Sequence, residues 1–207
     1  MRETYHHGDL RRRLLDLTAE TVTGRGVSEI SLRSLARAAG VSHTAPRNHF
    51  GSRAGLLTAF ATEGHLILAE RLREGGAATS FLETGVAYVE FASAHPAHFA
   101  VMFSHEDLVV DDPAFVAARQ QTFGVLCAGV EGLQDAGKVS DAAAAAIAGW
   151  SLVHGLATLA LTGNLDASSV RAYVAEPDLS ALARRAASML YGSGTTAPPA
   201  AAERKEV

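Results

Sequence analysis

The chain has 207 residues, of which 48% are hydrophobic and 19% charged, and its formal net charge is −4. This size and composition fit an ordinary soluble protein with a substantial core. The first residues contain no apolar stretch of the kind that directs export, and Cys127 has no second cysteine for a disulfide or a zinc site. We therefore expect a cytoplasmic protein that has no cofactor and does not bind a membrane.

The charge is distributed unevenly along the chain. Residues 1–60 contain nine arginines and five acidic residues, a net charge of +4, whereas the remaining residues carry −8. Such a division favours a basic segment that contacts phosphate and an acidic segment that does not. Scatter in small counts is the alternative explanation, so the asymmetry is only a first indication.

Helical periodicity recurs along the chain, and no alternating pattern predicts a sheet. The sequence therefore predicts an all-α fold of about nine helices. We define the head as residues 1–74, and four of the helices belong to it. They are one with a leucine stripe over 10–17, two short ones over 32–39 and 43–50, and a long one over 52–74. Their expected N-caps are Asp9, Ser31, Ser42 and Ser52.

Five further helices are expected in the body, which begins at the glycine pair 75–76. The fourth of them, over 142–161 with Asp141 as its expected N-cap, is the longest apolar stretch of the chain. It is rich in alanine and interrupted by Gly149 and His154, so we interpret it as a buried helix rather than a membrane span. The last carries an apolar stripe over 179–190.

The most informative segment is residues 31–50, in which two short helices meet at a tight turn. Gly40 can take the left-handed conformation that such a turn needs, and Ala36 and Ala45 are small enough for the helices to cross closely. This is the pattern of a helix-turn-helix, whose second helix enters the major groove of DNA and meets base edges. The side chains left to point outward are His43, Thr44, Arg47 and Asn48.

This segment and its continuation over 51–57 resemble the DNA-binding domain of the TetR family of bacterial regulators. Residues 5–12 and the pair Ala45–Pro46 are similar to one branch of that family. The C-terminal domain of that branch carries a Trp-x-x-x-His-Gly signature, which residues 150–155 match.

Two positions depart from the family pattern. Arg47 replaces a tyrosine near the end of the recognition helix, and Arg53 replaces a lysine at the start of the fourth helix. Both can still contact phosphate, but Arg47 can also reach guanine, so the operator sequence of a relative does not transfer to this chain.

The resemblance implies a homodimer that binds a near-palindromic operator in double-stranded DNA and responds to a small-molecule effector. Repression is the family default. The expected organisation is a helix-turn-helix domain over 1–51, a connecting helix over 52–74, a sensing and dimerisation domain over 75–191 and a disordered tail over 192–207. We expect the dimer to form through the helices over 142–161 and 179–191.

Eight residues of the head are candidate DNA contacts: Arg33, Ser42, His43, Thr44, Arg47, Asn48, His49 and Arg53. Several have a structural alternative. Ser42 is first of all an N-cap, and His49 fits a packed or capping role equally well. Arg33 and Arg53 are also compatible with plain surface charges, whereas Pro46 shapes the first turn of its helix.

Eight residues of the body are candidates for an apolar ligand cavity: Phe91, His95, Phe99, Met102, Phe103, Phe123, Trp150 and His154. Aromatic residues with a few polar groups are typical of small-molecule sites, but at helical spacing they are also typical of a core. A metal site near His95, His98, His105 and Asp107 lacks tight ligand spacing, so we expect none.

An enzyme is the competing class of function. The sequence contains no nucleophile elbow, Walker loop, HExxH motif or glycine-rich dinucleotide turn. We therefore expect a sequence-specific transcriptional regulator and no catalytic residues. The alternative is a helical small-molecule-binding protein or enzyme without DNA binding. A third class, a helical adaptor without DNA binding, would leave the outward Arg47 and Asn48 without a role.

Overall fold

The computed structural model describes residues 7–78, 81–174 and 178–191, and within these ranges it contains ten α-helices and no strand. The head contains α1 (His7–Arg25), α2 (Leu32–Ala38) and α3 (Ala45–Phe50), and α4 (Arg53–Ala78) runs from the head into the body. The helices of the body are α5 (Phe81–Ala94), α6 (Pro96–Met102), α7 (Pro113–Asp135), α8 (Ala142–Leu161), α9 (Ser168–Val174) and α10 (Leu179–Tyr191). The all-α prediction is confirmed.

Three of the predicted helix caps are confirmed and two are wrong. The backbone amides of Ser34, Gly55 and Ala144 donate to the side chains of Ser31, Ser52 and Asp141, at 3.0–3.1 Å. The helix α1 begins at His7, so Asp9 lies inside it. The helix α3 begins at Ala45 rather than at position 43, so Ser42 is not its N-cap.

The glycine pair 75–76 does not end α4, which continues to Ala78. The reason is packing: a Cβ atom built on Gly75 would lie 2.9 Å from the Cβ of Ala87 in α5. Gly75 therefore allows α4 and α5 to approach each other instead of breaking the helix. The additional helix α9, of seven residues, is not among the helices that the sequence predicts.

A continuous hydrophobic core connects the head to the body. Leu14, Leu35, Phe60, Phe91 and Phe115 are all buried members of it. Because α4 packs against α5, α6 and α7 as well as against the helices of the head, it is the element through which the two parts share their core.

The interpretation of α8 as a buried helix is wrong for a single chain. It is the one described helix that is long and apolar enough to cross a membrane by length and composition, yet only 22% of its most apolar stretch is buried. Ala146, Gly149, Val153 and Ala157 face the core, whereas large apolar side chains such as Ile147 are exposed. The isolated chain thus leaves an apolar face of α8 uncovered.

The helix α10 is held against α5 and α8. The Arg184 guanidinium donates to both carboxylate oxygens of Glu83, at 2.7 and 2.8 Å, and the Tyr191 hydroxyl donates to the Ala145 carbonyl. The Tyr191 ring fills the space that a Cβ atom at Gly149 would need. The tail predicted over 192–207 lies outside the described residues.

Candidate functional site

The turn between α2 and α3 has the geometry that its sequence predicts. Gly40 has a φ of +69°, in the left-handed region that a residue without a Cβ adopts at little cost. The Val41 amide donates to the Ala36 carbonyl at 3.0 Å and closes the end of α2. Pro46, in the first turn of α3, is buried against the rest of the head. These contacts fix the orientation of α3 relative to α2.

The surface of α3 and of the turn before it is polar and basic. The exposed side chains are those of Ser42, His43, Thr44, Arg47 and Asn48, with Arg33 exposed on α2. Among the described residues, neither Arg47 nor Asn48 forms a side-chain hydrogen bond or an ion pair. The two can therefore meet an external partner without giving up an internal contact.

Three other candidates on this segment, Ser42, Thr44 and His49, have internal contacts. The Ser42 hydroxyl lies 3.1 Å from the Thr44 hydroxyl, so it acts inside the turn rather than as a helix cap. His49 is half-buried, and its ring centroid lies 6.2 Å from that of Phe50. This position is compatible with both roles predicted for His49, packing and contact with DNA.

Arg53 was predicted to contact phosphate, but in the structure its guanidinium binds partners within the protein. Its guanidinium donates to the carbonyls of Ile30 and Val27, at 3.0 and 2.9 Å, and it forms an ion pair with Asp107 in the 3-10 turn after α6. These partners engage three of the five N–H donors of the guanidinium. Arg53 thus connects the α1–α2 loop of the head to the body.

A second polar connection joins α1 to the body. Arg12 of α1 forms an ion pair with Glu63 of α4, and the Nε2 of His98 in α6 lies 3.1 Å from the same carboxylate. The hydrogen bond to His98, supported by Arg12 and opposed by burial, lowers the pKa of Glu63 to about 2. The carboxylate is therefore ionised at neutral pH and holds both partners.

The body contains a cavity of about 510 Å³ between α4, α5, α7, α8 and α10. This volume lies in the range of small-molecule sites. Four of the predicted ligand residues line it: Met102, Phe103, Phe123 and Trp150. Two others, Phe99 and His154, line a second cavity of about 440 Å³ beside α1 and α6, which Phe103 also borders. Phe91 and His95 line neither of the two cavities.

His154 is paired with Tyr88 through one of its two ring nitrogens. Its Nδ1 lies 2.9 Å from the Tyr88 hydroxyl, and its ring packs on Phe99 and Phe103. Burial lowers the pKa of His154 and raises that of Tyr88, so both side chains are neutral at neutral pH. The pair forms a polar partition between the two cavities.

Several polar residues of the cavity wall were missed by the sequence analysis, among them His65 and Arg119. The sequence does contain an indication of both residues. His65 lies on the apolar face that Ala61 and Leu68 define in α4, and Arg119 lies three residues after Val116 and four before Phe123. A charged or imidazole side chain within an apolar stripe indicates a cavity or an internal partner.

His65 is almost completely buried. Its Nδ1 lies 3.3 Å from the Thr122 hydroxyl, but its Nε2 has no hydrogen-bond partner among the described residues. Burial and the charge of Arg119 lower the pKa of His65 to about 4, with the Met102 carbonyl acting in the opposite direction. The ring is therefore neutral at neutral pH.

The residues considered for a metal do not converge. Among the described residues there is no group of three or more His, Cys, Asp or Glu side chains that could hold a metal ion. His95 and His98 lie close to each other, with ring centroids 5.8 Å apart, but His98 is bound to Glu63 and Asp107 to Arg53.

Comparison with known proteins supports the fold and the family. Residues 81–175 match the family described as the Tetracyclin repressor-like C-terminal domain. A solved protein of unknown function from Rhodococcus sp. RHA1 is 33% identical, with a TM-score of 0.75 over 92% of this chain and 97% of its own. The chain matches no curated protein in sequence.

Two more distant structures share the fold and are regulators. A bacterial regulatory protein of the TetR family from Rhodococcus RHA1 is 21% identical, with a TM-score of 0.68 over 91% of this chain and 98% of its own. The TetR family transcriptional regulator PfmR from Thermus thermophilus is 20% identical, with a TM-score of 0.63 over 86% and 97%. Together with the sequence motif and the all-helical fold, these matches show that the chain belongs to the TetR family of transcriptional regulators, which are not enzymes.

Proposed function

We propose that this protein is a homodimeric, sequence-specific repressor that leaves a near-palindromic operator when a small, largely apolar ligand binds to its body. The observation that carries the proposal is the exposed polar surface of α3, presented by a glycine turn on the basic end of the chain. A protein of this kind works in the cytoplasm, where its operator is.

The residues of the head have different roles in this proposal. Arg47 and Asn48 read base edges, because they are exposed and have no partner among the described side chains. Arg33, with Ser42, His43 and Thr44 at the front of α3, contacts phosphates and sets the register. Arg53 is moved from the DNA contacts to the internal connection between head and body.

The dimer supplies a second head, which binds the second half-site of a palindromic operator. The exposed face of α8 supports this step, since it combines the small residues Ala144, Ala148 and Gly155 with the apolar Ile147 and Leu159. A second copy of the same face would cover these side chains, and an isologous contact of this kind is what two-fold symmetry produces. The signature over 150–155 lies on the same helix and supports the Trp-x-x-x-His-Gly branch.

Coupling between ligand and operator rests on α4. This helix contributes His65, Leu68 and Leu72 to the wall of the cavity, and its first residue, Arg53, is bound to the α1–α2 loop. A ligand that favours one position of α4 shifts the population toward a state in which the two heads no longer match the operator. By linkage, the operator must weaken ligand binding by the same factor.

Replacing Arg47 by Ala tests the assignment of α3 as the reading helix. On a duplex selected from random sequences, we expect a loss of about 1–3 kcal/mol in binding free energy and a relaxed preference at one base pair. Gel shift with the selected duplex and its single-base variants measures both. Arg171→Ala is the matched control, because Arg171 is an exposed arginine of the body. Unchanged affinity and preference in Arg47→Ala would assign base reading to another element.

A further inference from the structure

The large cavity carries charge of one sign in its wall. Of the described residues that line it, Arg119 is the only one with a permanent charge, and no Asp or Glu is among them. The other titratable side chains of the wall are His65, His105, Tyr88 and Tyr191, none of which is an anion at neutral pH. The permanent charge that a ligand meets in the described wall of the cavity is therefore positive.

Arg119 itself has no counter-ion among the described residues. Its guanidinium carbon lies 5.5 Å above the ring of Phe115, and within the same part of the chain the side chain forms no ion pair or hydrogen bond. It is half-buried, so it is only partly solvated by water. A planar guanidinium in this state matches the geometry of a carboxylate, which it can bind through two parallel hydrogen bonds.

Two more features fit a ligand with one polar end. His65, whose Nε2 has no hydrogen-bond partner among the described residues, lies close enough to Arg119 for that charge to lower its pKa. The rest of the wall is mostly apolar: Leu68, Leu72, Val116, Leu126 and Val153. A molecule with an apolar body and one terminal anion would cover the apolar wall and neutralise the arginine.

We propose that the effector is an amphipathic monocarboxylic acid whose carboxylate binds Arg119 and whose apolar part fills the cavity beside Trp150. This proposal rests on the proposed function only in that the acid, once bound, changes the affinity for the operator. The binding of the carboxylate is a separate property, and it can be measured without DNA.

The test compares acids with alcohols of the same skeleton. Decanoate against decanol, and cinnamate against cinnamyl alcohol, are titrated at neutral pH into the full chain while the emission of Trp150, its single tryptophan, is recorded. We expect at least one acid to bind at least about tenfold more tightly than its alcohol, since a charge-assisted hydrogen bond is lost in the alcohol. Equal affinity within both pairs, or no binding of any of the four, would overturn the proposal.

Variants of Arg119 localise the effect. Arg119→Gln should weaken the acid by at least about tenfold and leave the alcohol unchanged, whereas Arg119→Lys should keep part of the preference because it keeps the charge. Thermal unfolding followed by circular dichroism shows whether both variants are folded. If folded Arg119→Gln binds the acid as tightly as the unmodified chain, the proposal is wrong.

A separate titration with operator duplex distinguishes the two proposals. An acid that binds through Arg119 but leaves operator affinity unchanged supports the ligand class and contradicts the proposed release. An alcohol that binds as well as its acid and releases the operator contradicts the ligand class and supports the proposed function.

Discussion

The chain carrying Ile147→Glu together with Met189→Glu is expected to sediment as a monomer and to bind its operator at least about a hundredfold more weakly. Ile147 is 53% exposed on α8 and Met189 is 86% exposed on α10, so neither change removes a core contact within one chain. In a two-fold interface each substitution would bury two carboxylates, one from each chain, without a partner charge to offset their desolvation. A monomer engages one half-site and loses the gain from simultaneous binding.

The control for this variant is Val110→Glu, which places a carboxylate on an apolar side chain of similar exposure, 43%, in the loop before α7. It should leave the sedimentation and the operator affinity unchanged. We prefer Ile147 and Met189 to Leu182 and Ala186, the positions that the α10 stripe first suggests, because the latter are half-buried within the chain. A double variant that still sediments as a stable dimer would move the interface away from this face.

Arg53→Ala is expected to destabilise the protein by about 2–4 kcal/mol. The change removes two hydrogen bonds to the carbonyls of Val27 and Ile30 and leaves Asp107 without its cation. Chemical denaturation measures the free energy of unfolding, and amide hydrogen exchange over 27–30 reports whether the α1–α2 loop opens.

The matched comparison is Arg33→Ala, an exposed arginine of α2 whose loss should weaken DNA binding without changing stability. If Arg53 were instead a simple phosphate contact, the two variants would behave alike. Equal stability of Arg53→Ala and the unmodified chain would therefore contradict the structural role assigned here.

The helix-turn-helix could be predicted from the sequence because its signals are local. The left-handed Gly40, the cap at Ser31 and the small residues at the crossing all lie within 20 residues of one another, and each acts on its immediate neighbours. The start of α3 was misplaced by two residues for the same reason: Ser42 has the chemistry of a cap, but its hydroxyl pairs with that of Thr44 instead.

The contacts that define the rest of the site are distant in sequence. Arg53 reaches Val27 and Asp107, 26 and 54 residues away, and no local pattern indicates that an arginine at the start of a helix will turn inward. The cavity depends in the same way on which faces of α4 and α7 meet. Four of the eight predicted ligand residues line it, whereas the sequence analysis missed His65 and Arg119, although each lies within an apolar stripe of its helix.

The central claim, that α3 of a dimer reads a palindromic operator, is tested most directly by selecting bound duplexes from a random pool with the full chain. We expect enrichment of an inverted repeat whose half-sites lie about one turn of DNA apart, and we expect Arg47→Ala to select a less restricted pool. Recovery of sequences without a shared motif, or of the same motif by the unmodified chain and by Arg47→Ala, would contradict it.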